Sequence, residues 1–273
     1  MRLTVARSCS LAGSALLTRD EVTVALHPAP TGAGIVFRHG PSGTEIPATL
    51  DHVADVPQCT SLAAGPARID FAEHLMAVLA ANGITDVLVE VEGGEIPLLD
   101  GSAAPYQELL EDAGVAGLGG SVEPIVLPEP VTVASGGKVI GALPGKPEFW
   151  YVLDHAHPLI GRQTGCYRLG TDDFARGVAP ARTFTTEDEA RTLIAARGLE
   201  GADETMAIVA YEDRLSAPEP FPNSFAMHKV LDLMGDLYLL GRPLHATVIA
   251  FRTGHADNRA LARAILTAVE PET

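Results

Sequence analysis

Phe71-Ala72-Glu73-His74-Leu75-Met76-Ala77-Val78-Leu79-Ala80-Ala81-Asn82-Gly83 decides the reading of the fold. Phe71, Leu75, Val78 and Leu79 recur at helical spacing, so the segment is expected to be an α-helix. Asp70 is placed to cap it, Glu73 to complete a capping box, and Asn82-Gly83 to stop it. A strand over 86–91, a glycine-rich turn and a short helix over 104–112 follow. The same order returns near the other end of the chain. A helix runs from 223 or 224 to 240, where Gly241 stops it, and a strand covers 246–251. The turn Arg252-Thr253-Gly254-His255 then leads into a last helix from about 258 to 269. Each half thus ends helix, strand, glycine-containing loop, helix, and two such units pack as α+β layers.

Outward from these helices the pattern is mixed. Short strands are expected over 23–26 and 34–37, with Pro28, Pro30 and Gly32 as turn punctuation. The opening residues read as a first strand rather than a signal peptide, because the next apolar stretch is short and broken by Gly13, Ser14 and Thr18. Gly117-Leu118-Gly119-Gly120-Ser121 reads as a linker, dividing the chain into a domain of residues 1–121 and one of residues 122–273. A length of 273 residues accommodates two such domains, and a composition 47% hydrophobic and 20% charged suits a soluble protein with a sizeable core. No window approaches 18 uncharged apolar residues, so no membrane span is expected. Three cysteines without close spacing (Cys9, Cys59, Cys166) argue against a disulfide framework or a thiolate zinc site, and fit a reducing cytoplasm. A net charge of −16 excludes non-specific nucleic-acid binding and means that an anionic ligand needs a local positive cluster. A monomer is expected.

Chemistry-bearing residues gather on the two helices. His228 and Asp232, four apart, share one helical face and can meet one metal ion. With His74 they supply two nitrogens and one oxygen and leave a position for water, the arrangement of catalytic zinc. Glu73 beside them is a candidate general base. The same residues also fit an ordinary helix pair and a capping glutamate. A rival metal site exists in Asp154-His155-Ala156-His157, whose histidines point to one face if the segment is a strand. His255 in its turn, Asp236 one turn beyond Asp232, and the Thr183 hydroxyl are candidates for a proton donor, its partner and an oxyanion contact. Spacing alone leaves the two metal sites open.

Several runs together resemble the UDP-3-O-acyl-N-acetylglucosamine deacetylase family. They are Glu73-His74-Leu75-Met76, Ala80-Ala81-Asn82-Gly83-Ile84, and Glu95-Ile96-Pro97-Leu98-Leu99-Asp100-Gly101-Ser102-Ala103. His157-Pro158, Ala181-Arg182-Thr183-Phe184, His228-Lys229-Val230-Leu231-Asp232-Leu233-Met234-Gly235-Asp236 and Thr253-Gly254-His255-Ala256-Asp257-Asn258 continue the series in family order. The resemblance implies two α+β domains with helices sandwiched between two sheets. It implies Zn2+, or Fe2+, on His74, His228 and Asp232 rather than on His155 and His157. It further implies Glu73 as base, His255 with Asp236 as acid, and Thr183 at the oxyanion. Lys229 and Arg252 fall near an anionic nucleotide sugar, and Phe184 against its ring. An insert over about 186–215 is expected to form an acyl channel, with Ile194 in its wall. The implied reaction is metal-dependent removal of an acetyl group in lipid A synthesis. Two departures stand out: Ala12-Gly13-Ser14-Ala15-Leu16-Leu17-Thr18 replaces a Gly-x-Gly-Leu-His-Ser-Gly run, and Met227 stands where arginine is usual. They leave open a paralogue acting on another N-acetylated sugar, or a non-catalytic binding protein of the same fold.

Overall fold

A computed structural model describes residues 1–269. The chain opens with strand β1 (Arg2–Val5), then β2 (Cys9–Ser14), β3 (Glu21–Pro28), β4 (Ile35–His39) and β5 (Thr44–Pro47). A small antiparallel sheet follows, made of β6 (Val53–Ala54), β7 (Ser61–Ala64) and β8 (Ala67–Ile69). Helix α1 (Glu73–Ala81), strand β9 (Val87–Glu92), helix α2 (Ala104–Ala113) and strand β10 (Val115–Leu118) complete the first half. The second half contains β11 (Ile125–Val126), β12 (Val131–Ser135), β13 (Lys138–Pro144), β14 (Glu148–Asp154) and β15 (Arg162–Arg168). Helix α3 (Phe174–Gly177), β16 (Phe184–Thr186), α4 (Glu187–Arg197), β17 (Ile208–Ala210), α5 (Ser224–Tyr238), β18 (Leu244–Phe251) and α6 (His255–Val269) follow.

The repeat seen in the sequence is a repeat of topology. One sheet runs β2-β3-β9-β4-β5 and the other β12-β13-β18-β14-β15. In each, the strand that follows the long helix inserts at the centre, antiparallel to one hairpin and parallel to the nearest strand of the other. Alternation explains the layers: Val87, Val89 and Val91 point inward from β9, as Ala246, Val248 and Ala250 do from β18. These side chains join those of α1 and α5 in one continuous apolar core.

The helices α1 and α5 pack at very short range. A Cβ at position 235 would lie 2.1 Å from the Glu73 carbonyl oxygen, so only glycine permits this approach. Among the described residues, no helix is long and apolar enough to cross a membrane.

Several expectations need correction. Helix α1 starts at Glu73, not Phe71, because Phe71 takes a left-handed φ of 64° and Ala72 caps the helix without a side-chain bond. Glu73 closes no capping box; its carboxylate accepts instead from the Thr60 N–H. Gly117 and Leu118 do not form a linker, since both lie in β10 and pair with Leu3 and Arg2 of β1. The last helix begins at His255 rather than about 258, so this histidine heads a helix instead of sitting in a turn.

Candidate metal centre and acid–base site

Phe225, Val230, Leu231, Leu233, Met234 and Leu237 bury α5, and they carry a polar stripe inward with it: His228, Asp232 and Asp236, spaced four apart. Helix α1 meets this stripe with Glu73 and His74, also buried. One ligand atom each from His74, His228 and Asp232 lie within 4.8 Å of one another, and among the described residues no other such cluster of three occurs. His74 Nε2 is 3.8 Å and His228 Nε2 3.6 Å from Asp232 Oδ1. The two imidazole rings stand edge to face, with centroids 5.1 Å apart.

The protonation states suit a cation. Burial holds both imidazoles below their ordinary value, His228 at about 3, although Asp232 works the other way. His228 Nδ1 lies 3.3 Å from the Ala181 carbonyl; as the donor there, it leaves Nε2 with its lone pair free. Burial resists charge on Asp232 too, but Lys229 and the neighbouring histidines outweigh it and keep the carboxyl well below the usual range. Lys229 Nζ donates to Asp232 Oδ2 at 2.6 Å. Two neutral nitrogens and an ionised oxygen are a donor set for a divalent metal.

A second constellation adjoins the first. His255 Nδ1 donates to Asp236 Oδ2 at 2.9 Å, and its Nε2 lies 4.0 Å from Glu73 Oε1. Burial pushes the Glu73 carboxyl up to about 7; His255 opposes the rise, while Asp232 and Asp236 add to it. Burial disfavours charge on His255, but the Asp236 carboxylate outweighs it and raises the imidazole to about 9. A carboxylate that can take a proton near neutrality thus faces an imidazolium that can give one.

Other expected residues lie close by or further out. Thr183 donates from Oγ1 to the Gly101 carbonyl at 3.1 Å. The Phe184 ring packs on Phe225 and edge-on to His228, with centroids 4.7 and 6.1 Å away. Arg252, half exposed at a left-handed φ of 57°, lies 3.9 Å from Asp154. Ile194 is 42% exposed on α4, a helix with no fully buried residue. Among the described residues the rival histidines join no cluster of three possible metal ligands, and His155 Nδ1 accepts from the His157 N–H at 3.1 Å. His155 follows the end of β14 and pairs with Glu189 at 3.6 Å, while His157 Nδ1 accepts from the Leu159 N–H.

Two participants carry no role in the sequence reading. Asn258 Nδ2 donates to Asp236 Oδ2 at 2.8 Å, and Thr60 donates to both Glu73 and Asp236. The Thr60 contacts span 13 and 176 positions along the chain, beyond the reach of any local pattern.

A family model described as UDP-3-O-acyl N-acetylglycosamine deacetylase matches residues 2–267. The UDP-3-O-acyl-N-acetylglucosamine deacetylase of Anaeromyxobacter dehalogenans is 41% identical over 266 residues, covering 96% of this chain and 86% of that protein. The protein of that name in Myxococcus xanthus is 36% identical over 268 residues, or 96% and 85% of the two chains. In Chlamydia abortus the identity is 35% over 274 residues, 98% of each chain.

Proposed function

The chain belongs to the UDP-3-O-acyl-N-acetylglucosamine deacetylase family, and from that premise we propose that His74, His228 and Asp232 hold zinc where Glu73 and His255 hydrolyse the substrate's acetamide. The protein is a hydrolase of an amide, removing the N-acetyl group from UDP-3-O-acyl-N-acetylglucosamine and releasing acetate, a reaction of lipid A biosynthesis. Zinc is the proposed ion and Fe2+ the alternative, since two imidazoles and a carboxylate suit either. The supporting observation is the cluster itself: three buried protein donors within 4.8 Å of one another are the complement of an open catalytic site rather than a closed structural one.

When bound, the metal supplies Lewis acidity to the acetamide carbonyl and to water. Glu73 takes the proton from the attacking water, a role supported by its rise to about 7 and by the Thr60 N–H that fixes its other oxygen. His255 gives a proton from Nε2 to the departing nitrogen as the C–N bond breaks, and Asp236 keeps the ring charged until then. Lys229 holds Asp232 ionised and in place. The Thr183 hydroxyl, released from Gly101, donates to the developing oxyanion, a contact worth roughly 3–4 kcal/mol. Phe184 offers its face to the sugar and Arg252 its charge to the nucleotide phosphates. The segment 186–215, with Ile194 exposed on it, takes the acyl chain.

The same reading divides the chain into domains of residues 1–121 and 122–273, with α1 presented by one and α5 by the other. It places the reaction in the cytoplasm, in keeping with three free cysteines. The test is acetate release from UDP-3-O-acyl-N-acetylglucosamine by the zinc-loaded protein. Turnover supports the assignment; bound zinc without turnover on this substrate would point to another N-acetylated sugar.

A further inference from the structure

Thr60 uses every polar group it has to join the two catalytic helices. It is fully buried. Its N–H donates to Glu73 Oε2 at 2.8 Å, and its carbonyl accepts at 2.9 Å from the N–H of Ala72, the cap of α1. Its hydroxyl donates to Asp236 Oδ1 on α5. The other oxygen of Asp236 receives His255 Nδ1 and Asn258 Nδ2. The preceding residue is also held: the Cys59 carbonyl accepts from Arg259 Nη1 at 3.3 Å, and Arg197 Nη1 lies 3.6 Å from Cys59 Sγ.

We propose that Thr60 is a positioning residue for the deacetylation, fixing the separation between the Glu73 carboxylate and the Asp236–His255 pair; the proposal rests on the acid–base roles assigned above. Carboxyl groups turn easily about their terminal torsion, whose preferences are broad and roughly two-fold rather than staggered. A donor on the second oxygen is what stops that rotation. With the Thr60 hydroxyl removed, Asp236 Oδ1 loses its hydrogen-bond donor inside the core, and the carboxylate can swing its Oδ2 away from His255. The Nε2 of that ring, 4.0 Å from Glu73 Oε1, then shifts against the base. Such a displacement matters because proton transfer demands close alignment of the groups involved.

Thr60→Val keeps the shape and the N–H to Glu73 but removes the hydroxyl, while Thr60→Ser keeps all three bonds. With UDP-3-O-acyl-N-acetylglucosamine as substrate and one zinc per chain, Thr60→Val is expected to lower kcat roughly 10- to 100-fold. Its KM should stay within about twofold, and Thr60→Ser should restore most of kcat. In an Asp236→Asn background the same valine should cost less than about twofold, since Thr60 acts through Asp236. A folded Thr60→Val protein with unchanged kcat, or an equal fractional loss in both backgrounds, overturns the proposal. If the valine protein lacks a cooperative melting transition, Thr60→Ala takes its place, with the same expected loss and the same contradicting results. Failure of the acid–base reading itself shows elsewhere, as full activity in Glu73→Gln or His255→Ala, and overturns both.

Discussion

His255 Nδ1 and Asp236 Oδ2 are joined by a 2.9 Å hydrogen bond at the edge of the core, and the Asp236 charge favours the protonated form of the ring that faces Glu73. Asp236 is fully buried, so its carboxylate acts on the imidazole with little solvent screening. A bell-shaped pH dependence follows. Glu73, raised to about 7, holds its proton below that pH, so the base form and the rate are lost as pH falls. His255, raised to about 9, keeps its proton up to that pH, so the acid form and the rate are lost above it. In Asp236→Asn the alkaline limb of kcat/KM should move down towards the ordinary histidine value of about 6.5. A limb that stays in place would separate His255 from the rate.

Glu73→Gln tests the division of labour between base and ligands. The amide keeps the shape and the acceptor for the Thr60 N–H, but takes no proton. Zinc content should remain at one per chain if the ligands are the proposed His74, His228 and Asp232. The rate should fall roughly 100- to 10,000-fold, the usual worth of a general base. Loss of zinc along with activity would make Glu73 a ligand instead.

Gly235→Ala tests the helix crossing. A methyl group there would sit 2.1 Å from the Glu73 carbonyl oxygen, backbone that moves only if α1 moves. Urea unfolding should register a loss of about 1–3 kcal/mol or more, and activity should fall with it because Glu73 and His74 ride on the displaced turn. A variant as stable and active as the parent would show that the helices have room to spare.

Ile194→Glu places a charge on the exposed face of α4. If segment 186–215 takes the acyl chain, kcat/KM should drop more for long-acyl than for short-acyl substrates, since each buried methylene is worth about 0.8 kcal/mol. Equal losses for both would remove this segment from acyl recognition.

The long helices and their repeated order are legible in the sequence because Leu75, Val78 and Leu79 stand at helical spacing, although α1 is buried on every side from Glu73 to Leu79, and because burial imposes a 2-residue period on the β9 and β18 valines and alanines. Legibility ends where a contact is not local. Glu73 resembles a capping residue because capping boxes are read over three positions, whereas its partner Thr60 lies 13 residues upstream and across a turn. The boundary at 71–72 escapes a sequence reading because left-handed φ is rare for phenylalanine, and no glycine marks it. Gly117 and Leu118 read as a linker because glycine weakens any strand signal, yet pairing with β1 carries them into a sheet. The candidate metal residues are legible as types and spacing; their convergence depends on Gly235, whose missing side chain leaves no mark on an amphipathic pattern.

In the proposed site two imidazoles and one carboxylate share a single ion, and anomalous diffraction at the zinc edge, from crystals of the zinc-loaded protein, locates that ion. One peak is expected, about 2.0–2.2 Å from a ring nitrogen of His74, a ring nitrogen of His228 and an oxygen of Asp232. A peak on other side chains, or one that lacks any of these three, would contradict the account.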